Sequence, residues 1–218
     1  MATAGYNTTL KLSGTVTAFN DAATTSLGSN RYQVTDATKR IIEPGSNVTV
    51  KDGVTTLAST AFSVDFLFGI VTLNSPPGGA VTVSSNYMPM LTIGEGRSAT
   101  INQSRAELDS SVFTEDYTTL ILGKKSASGD LERLALFLDD LDPGVGTTTF
   151  QSAQDNSTPK LLEVLLTSTV VWRGWVYFPG LSGESSQDGL VTGRISWKSI
   201  IRYNPFFKVN TSFGIGAP

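Results

Sequence analysis

Apolar and polar positions along this chain alternate far more often than they recur at helical spacing. Leu10 and Leu12, Tyr32 and Val34, Val71 and Leu73, and Val81 and Val83 each occupy every second position. That is the period at which side chains fall on one face of a strand. The pattern predicts strands around Leu10–Ala18 and Asn30–Thr35, with Asn20–Asn30 as a turn-rich loop between them. Asp36 stands where an N-cap belongs, before one short turn over Ala37–Arg40 that Pro44-Gly45 ends. Asn47–Lys51 and Thr55–Ala58 flank Asp52-Gly53, a hairpin signal. Phe62–Phe66 leads through Gly69 into Ile70–Asn74, and Pro76-Pro77-Gly78-Gly79 turns the chain into Ala80–Tyr87. The last two segments read as a hairpin.

Ser104–Glu132 organises the second half. An acidic alternating strand (Ala106, Leu108, Ser110, Val112) leads to the apolar cluster Tyr117–Leu122, which Gly123 ends. Lys124–Asp130 then reads as a loop carrying Lys124 and Lys125. Leu131–Leu141 fits a helix through Leu131, Leu134, Leu138 and Leu141, or a strand through Leu134, Leu136 and Leu138. Gly129 and Asp139-Asp140 bracket a short run and favour the strand. One helix is predicted at about residues 158–168, with Thr158 as N-cap, Pro159 in the first turn, and Leu161, Leu162, Val164 and Leu165 as its apolar face. Val170–Phe178 is a strand closed by Pro179-Gly180; Leu181–Asp188 is a polar loop, and the last strands lie in Gly189–Ile201. Met88-Pro-Met and Gly94-Glu-Gly96 divide a β-rich unit, 1–92, from a β-sandwich core with the helix, 93–218.

Composition agrees with an almost all-β chain. Only 16% of the 218 residues are charged, and uncharged Ser, Thr, Asn and Gly carry much of the polarity, a balance that suits strands and turns better than exposed helices. Histidine and cysteine are both absent. That removes the commonest general base, the usual partner of a nucleophilic serine, thiolate metal sites and disulfides. A formal net charge of −3 argues against a basic surface that grips nucleic acid. The N-terminus lacks the layout of a secretion signal. The most apolar run, Leu161–Phe178, is interrupted by Glu163 and Arg173, so no membrane partner is expected.

The remaining constellations favour plain structural readings. The acid pairs Glu107/Asp109 and Glu115/Asp116, and the group Asp139/Asp140/Asp142, have no evident cleft to serve as glycosidase carboxylates. Asp139–Gly144 departs from EF-hand spacing. Gly94-x-Gly96 lacks the third glycine and the βαβ frame of a dinucleotide site. Trp172 and Trp175 are three apart and face opposite sides of a strand, so core or interface packing outranks a carbohydrate platform. Lys39-Arg40 and Lys124-Lys125 are too small for nucleic-acid binding and suit loop charges in subunit contacts. No catalytic residue, cofactor or metal ligand is expected.

Two stretches, RYQVTDATKRIIEPGSNVTVKDG and FSVDFLFGIVTLNSPPGGAVTVSSNY, resemble the N-terminal part of tail tube (major tail) proteins of long non-contractile-tailed bacteriophages. ELDSSVFTEDYTTLILGKKSASGDLE resembles their acidic strand, Thr/Phe turn and Gly-Lys loop, and the resemblance spans most of residues 6–201. It implies a mainly β, sandwich- or barrel-like subunit with one short flanking helix. Six copies would form a ring around a shared lumen β-barrel, and rings would stack into a conduit for DNA ejection. Glu107, Asp109, Glu115 and Asp116 are the expected lumen-facing acids, suited to a polyanion that slides without sticking. Lys39, Arg40, Lys124, Lys125 and Asp130 are the expected inter-subunit positions. The implied partners are further copies of the chain, the tape measure, tail terminator and distal tail proteins, and passing viral DNA without sequence-specific binding. The implied location is the virion tail, after assembly in the host cytoplasm. The rival reading is a host- or glycan-binding β module of a tail fibre or adhesin, and an Asp/Glu hydrolase is the weakest.

Overall fold

A computed structural model describes residues 8–96, 98–109, 120–134, 159–167, 169–185, 191–211 and 213–216. The protein is mainly β, with antiparallel pairing throughout. Residues 17–87 build one seven-stranded sheet from β2 (Thr17–Gly28), β3 (Arg31–Val34), β4 (Thr49–Asp52), β5 (Thr55–Thr56), β6 (Phe62–Asp65), β7 (Ile70–Leu73) and β8 (Val81–Tyr87), in the order β5-β4-β8-β2-β3-β7-β6. Val50 and Val83 share a core with Val34, Val71 and Phe62, so strands far apart in that order face each other and the sheet curls over its own interior. β2 makes the curl possible. It pairs with β8 through Thr17–Ala23 and with β3 from Thr24 onward, and bulges at Asp21, whose φ is 47°.

Several expectations change here. Asn20–Asn30 is strand rather than loop up to Gly28. The turn is confined to Ser29-Asn30, both at positive φ, the conformation of a two-residue hairpin loop. β7 and β8 do not pair with each other: β7 lies between β3 and β6, and β8 between β2 and β4. Their alternation marks a shared core, which the Pro-rich segment crosses by carrying the chain from one half of the curled sheet to the other. The short turn at Ala37–Lys39 forms as expected, with Asp36 accepting from Thr38 N–H. The β4–β5 hairpin forms around Gly53-Val54, with Gly53 at φ 58°.

The second sheet gathers β1 (Thr8–Ser13), β9 (Met90–Gly96), β10 (Ser98–Ala99), β11 (Asn102–Asp109), β12 (Leu120–Leu134), β13 (Lys160–Thr167), β14 (Val170–Ser185), β15 (Val191–Ser199) and β18 (Phe213–Gly216). Between β15 and β18, β16 (Arg202–Asn204) and β17 (Val209–Thr211) form a separate hairpin. The main path is β10-β12-β15-β14-β13-β1-β9. One residue, Arg97, separates β9 from β10 in sequence, yet these strands end the path. A connection that short requires the sheet to curl until its ends meet, so it approaches a closed barrel. Its interior holds Leu10, Leu12, Leu131, Leu162, Val164, Trp172, Ile195 and Trp197.

The expected helix at 158–168 is strand β13, between β1 and β14. Leu162 and Val164 face the barrel interior, while Leu161 packs outward against Ile41, Leu67 and Phe68 of the first sheet. A strand buried on both faces has a near-continuous apolar run, which mimics a helix face. Lys124–Asp130 is also strand, the middle of β12. Ala127 and Leu131 are buried there, and a Cβ on Gly129 would collide with Thr100 O and the Trp197 ring. The small residues that suggested a loop are needed for close packing. Leu131–Leu141 is strand up to Leu134, and the rest lies outside the described residues. β14 runs through Pro179-Gly180 to Ser185 with a register shift at the proline, where a strand tolerates a missing donor.

Candidate assembly surfaces

The two sheets meet along the outer face of β13 and β14. Leu161, Val171 and Trp175 pack against Ile41, Leu67, Phe68 and Met88. Beside this seam three charges form a row across neighbouring strands. Lys11 Nζ lies 2.8 Å from Glu163 Oε1, and Arg173 Nε lies 2.7 Å from Glu163 Oε2. Glu163 and Arg173 are register partners and both are buried. Arg173 also donates from Nη1 to Leu67 O at 2.9 Å and stacks over Phe68, 5.1 Å from its centroid. Burial alone would raise the Glu163 carboxyl. The bond from Lys11 and the charge and bond of Arg173 outweigh it and hold the group below the usual glutamate range. These residues line a cleft of about 310 Å³ with Thr38, Ile41, Pro89 and Met90.

The β16–β17 hairpin is a second tie. Asn204 is fully buried; its Nδ2 donates to Pro44 O at 2.5 Å and Ser46 O at 3.1 Å, and its Oδ1 accepts from Phe206 and Phe207 N–H. Arg202 bonds Glu43 at 2.8 Å and stacks over Trp175 at 4.8 Å. Tyr203 and Phe206 are left exposed on this pinned turn.

The third surface is a ribbon. β11 pairs with β12 from Asn102↔Ser128 to Asp109↔Leu120, with an irregularity between Arg105 and Glu107. β15 pairs with β12 only from Ser128 onward. Among the described residues no strand lies beside Leu120–Ser126 on the side away from β11, and none pairs with the outer edge of β11. Among the described residues both edges of the ribbon are therefore unpaired over roughly 20 Å.

Glu107 and Asp109 stand on β11 opposite Leu122 and Leu120. Glu115 and Asp116 lie outside the described residues, as do Asp139, Asp140 and Asp142. Lys124 and Lys125 are exposed on β12. Asp130 is not in a loop: it sits on the outer face of β12, bonded to Arg194 Nη2 and Ser196 Oγ, each at 2.7 Å. Arg194 first and Ser196 second hold its carboxyl below the usual aspartate range. Lys39 pairs with Asp36 at 3.0 Å, and Arg40 Nε donates to Val34 O. The structure therefore does not gather the expected positions into one site. Trp172, Trp175 and Trp197 are all buried, the first two on opposite faces of β14, and they form no flat exposed platform. Lys11, Glu163 and Arg173 were not among the expected sites. Their signal was one charge in each of two adjoining apolar runs, ten residues apart and opposite in sign. Among the described residues no group of three His, Cys, Asp or Glu side chains could hold a metal ion, and no helix is long and apolar enough to cross a membrane.

No family model and no curated protein matches the chain. Among solved structures it is similar to a chain from the tail of an empty GTA particle, obtained by helical refinement with C6 symmetry. There the identity is 15%, the match covers 51% of this chain and 82% of that one, and the TM-score is 0.43. A chain from the virion of a native gene transfer agent particle gives 12% identity, coverage of 59% and 88%, and a TM-score of 0.43.

Proposed function

We propose that this chain is a structural tail tube subunit of a long non-contractile-tailed bacteriophage. Copies of it close into rings, six to a ring, and the rings stack into a conduit for DNA ejection. The observation that carries the reading is the β11–β12 ribbon, whose two edges pair with no strand among the described residues. A two-stranded ribbon is marginal in water, and open edges invite uncontrolled pairing. Both problems are relieved if the β12 edge of one copy meets the β11 edge of the next. Such a contact is head-to-tail and closes into a ring when its rotation allows. The sequence resemblance to tail tube proteins supports the same reading. In it, 93–218 with Thr8–Ser13 builds the tube and 17–87 stands on it. Glu107, Asp109, Glu115 and Asp116 belong to the ribbon and the residues between its strands, near the bore. The subunit works in the virion tail, beside tape measure, terminator and distal tail proteins, and it assembles in the host cytoplasm.

Electron microscopy of the purified protein, alone and with neighbouring tail proteins, is expected to show rings or tubes. Lys124→Pro places a proline in β12 at a position with no register partner on β11, where a strand best tolerates a missing donor. It is expected to abolish rings while leaving the thermal midpoint within a few degrees of the parent. A soluble monomer at high concentration that forms no rings overturns the reading.

A further inference from the structure

We infer that the face of β10, β12 and β15 carrying Ser98, Ser128, Asp130, Glu132, Arg194 and Ser196 is the one turned toward the bore and the DNA passing through it. The inference rests on the tube reading and goes beyond it by assigning a wall. The second sheet offers few faces to choose from. Its inner face is filled by Trp172, Trp197 and their neighbours, so no passage runs through a single subunit. Its outer face over β13 and β14 is covered by Ile41, Leu67 and Phe68, from connections within the first sheet, and by Met88. Over β12 and β15 the outer face has no such cover among the described residues, and every second residue there is polar. The register places Ser98 beside Glu132, Glu132 beside Arg194, Asp130 beside Ser196, and Ser128 beside Lys198.

Sterics then choose a direction. The first sheet is bulky and stands on a different flank of the barrel from this polar face. In a closed ring the available circumference grows with radius, so the bulky flank goes outside and the polar face goes inside. β12 supplies both the ribbon edge and this face, so edge-to-edge joining would continue the polar surface from copy to copy.

The chemistry suits a polyanion in transit. Binding of a phosphate backbone needs clustered cations that can displace its counterions. Here Arg194 is engaged by Asp130 at 2.7 Å, Ser196 donates to the same carboxylate, and Ser98 donates to Glu132 at 3.1 Å. Asp130 and Glu132 balance Arg194 and Lys198. A wall of hydroxyls and closely balanced charges offers no cation cluster on this face to grip the backbone. Glu107 and Asp109 of the adjoining ribbon would add negative charge beside this wall.

The chain has no cysteine, so single thiols can be introduced cleanly. Ser128→Cys reports on the proposed wall, and Val54→Cys reports on the exposed tip of the β4–β5 hairpin. Assembled rings are treated with a small maleimide or with one carrying a long polyethylene glycol. Val54→Cys is expected to react with both, and Ser128→Cys with the small reagent while losing the polymer reaction on assembly. Ser196→Cys serves where Ser128→Cys does not assemble. Polymer labelling of both wall positions in rings at the Val54→Cys rate overturns the assignment and leaves the tube reading standing. Failure of the unsubstituted chain to form any ring overturns the tube reading and the assignment together.

Discussion

At 3% exposure, the Glu163 carboxylate has given up most of its hydration. Only its two partners make that tolerable, because a buried charge left alone costs several kcal/mol. Glu163→Ala strands Arg173 and is expected to destabilise the fold by about 3–5 kcal/mol in chemical denaturation. The double variant Glu163→Leu with Arg173→Met is expected to lose less than either single change, since apolar replacement of a whole buried pair is often near neutral. The pH dependence follows from the same site. Glu163 and Asp130 are held below their ordinary values in the folded state. Their stabilisation is therefore complete above the unfolded carboxylate range, near pH 4–5, and is lost as pH falls through the folded values. Thermal midpoints measured from pH 7 to pH 3 are expected to drop, with a shallower fall in Glu163→Gln. The tryptophans balance differently. No indole N–H of the three has an acceptor among the described residues; an N–H left without one would cost about 1–3 kcal/mol. Burying about 150–250 Å² of each ring contributes about 4–6 kcal/mol, and Trp172 and Trp197 also lie 4.9 Å apart.

Among the strands, alternation revealed which residues share a core but not which strands pair. Val71, Leu73, Val81 and Val83 do point into one interior, yet their strands sit in opposite halves of a curled sheet. Pairing depends on contacts distant in sequence, which a local period does not encode. β13 is hidden for a different reason: a strand covered on both faces loses its alternation. β12 is hidden in the sequence because Ser126, Ala127 and Gly129 have the composition of a loop. Gly129 offers a test at this scale. Gly129→Val pushes a side chain into Thr100 O and Trp197, and overpacking of this kind costs about 1–3 kcal/mol. Denaturation midpoints are expected to fall accordingly, whereas a loop glycine at that position would tolerate the change.

As a whole, the molecule is two sheets tied by an apolar seam, a buried ion row and the Asn204 hairpin. Asn204→Ala leaves the carbonyls of Pro44 and Ser46 and the amides of Phe206 and Phe207 without their bonds. It is expected to cost about 1–3 kcal/mol and to bring protease cleavage to the 201–211 hairpin before the rest of the chain. The mainly β fold class was readable from composition and period. The ties were not, because most of them join residues distant in sequence, such as Glu43 with Arg202 and Arg173 with Leu67. β12 runs 15 residues and β14 runs 16, both bonded to β15 between them. A pull directed along these strands loads many rungs of the ladder at once, in shear, whereas a pull across them opens the rungs one at a time. The molecule is accordingly stiffest along these strands and yields first where load acts across them.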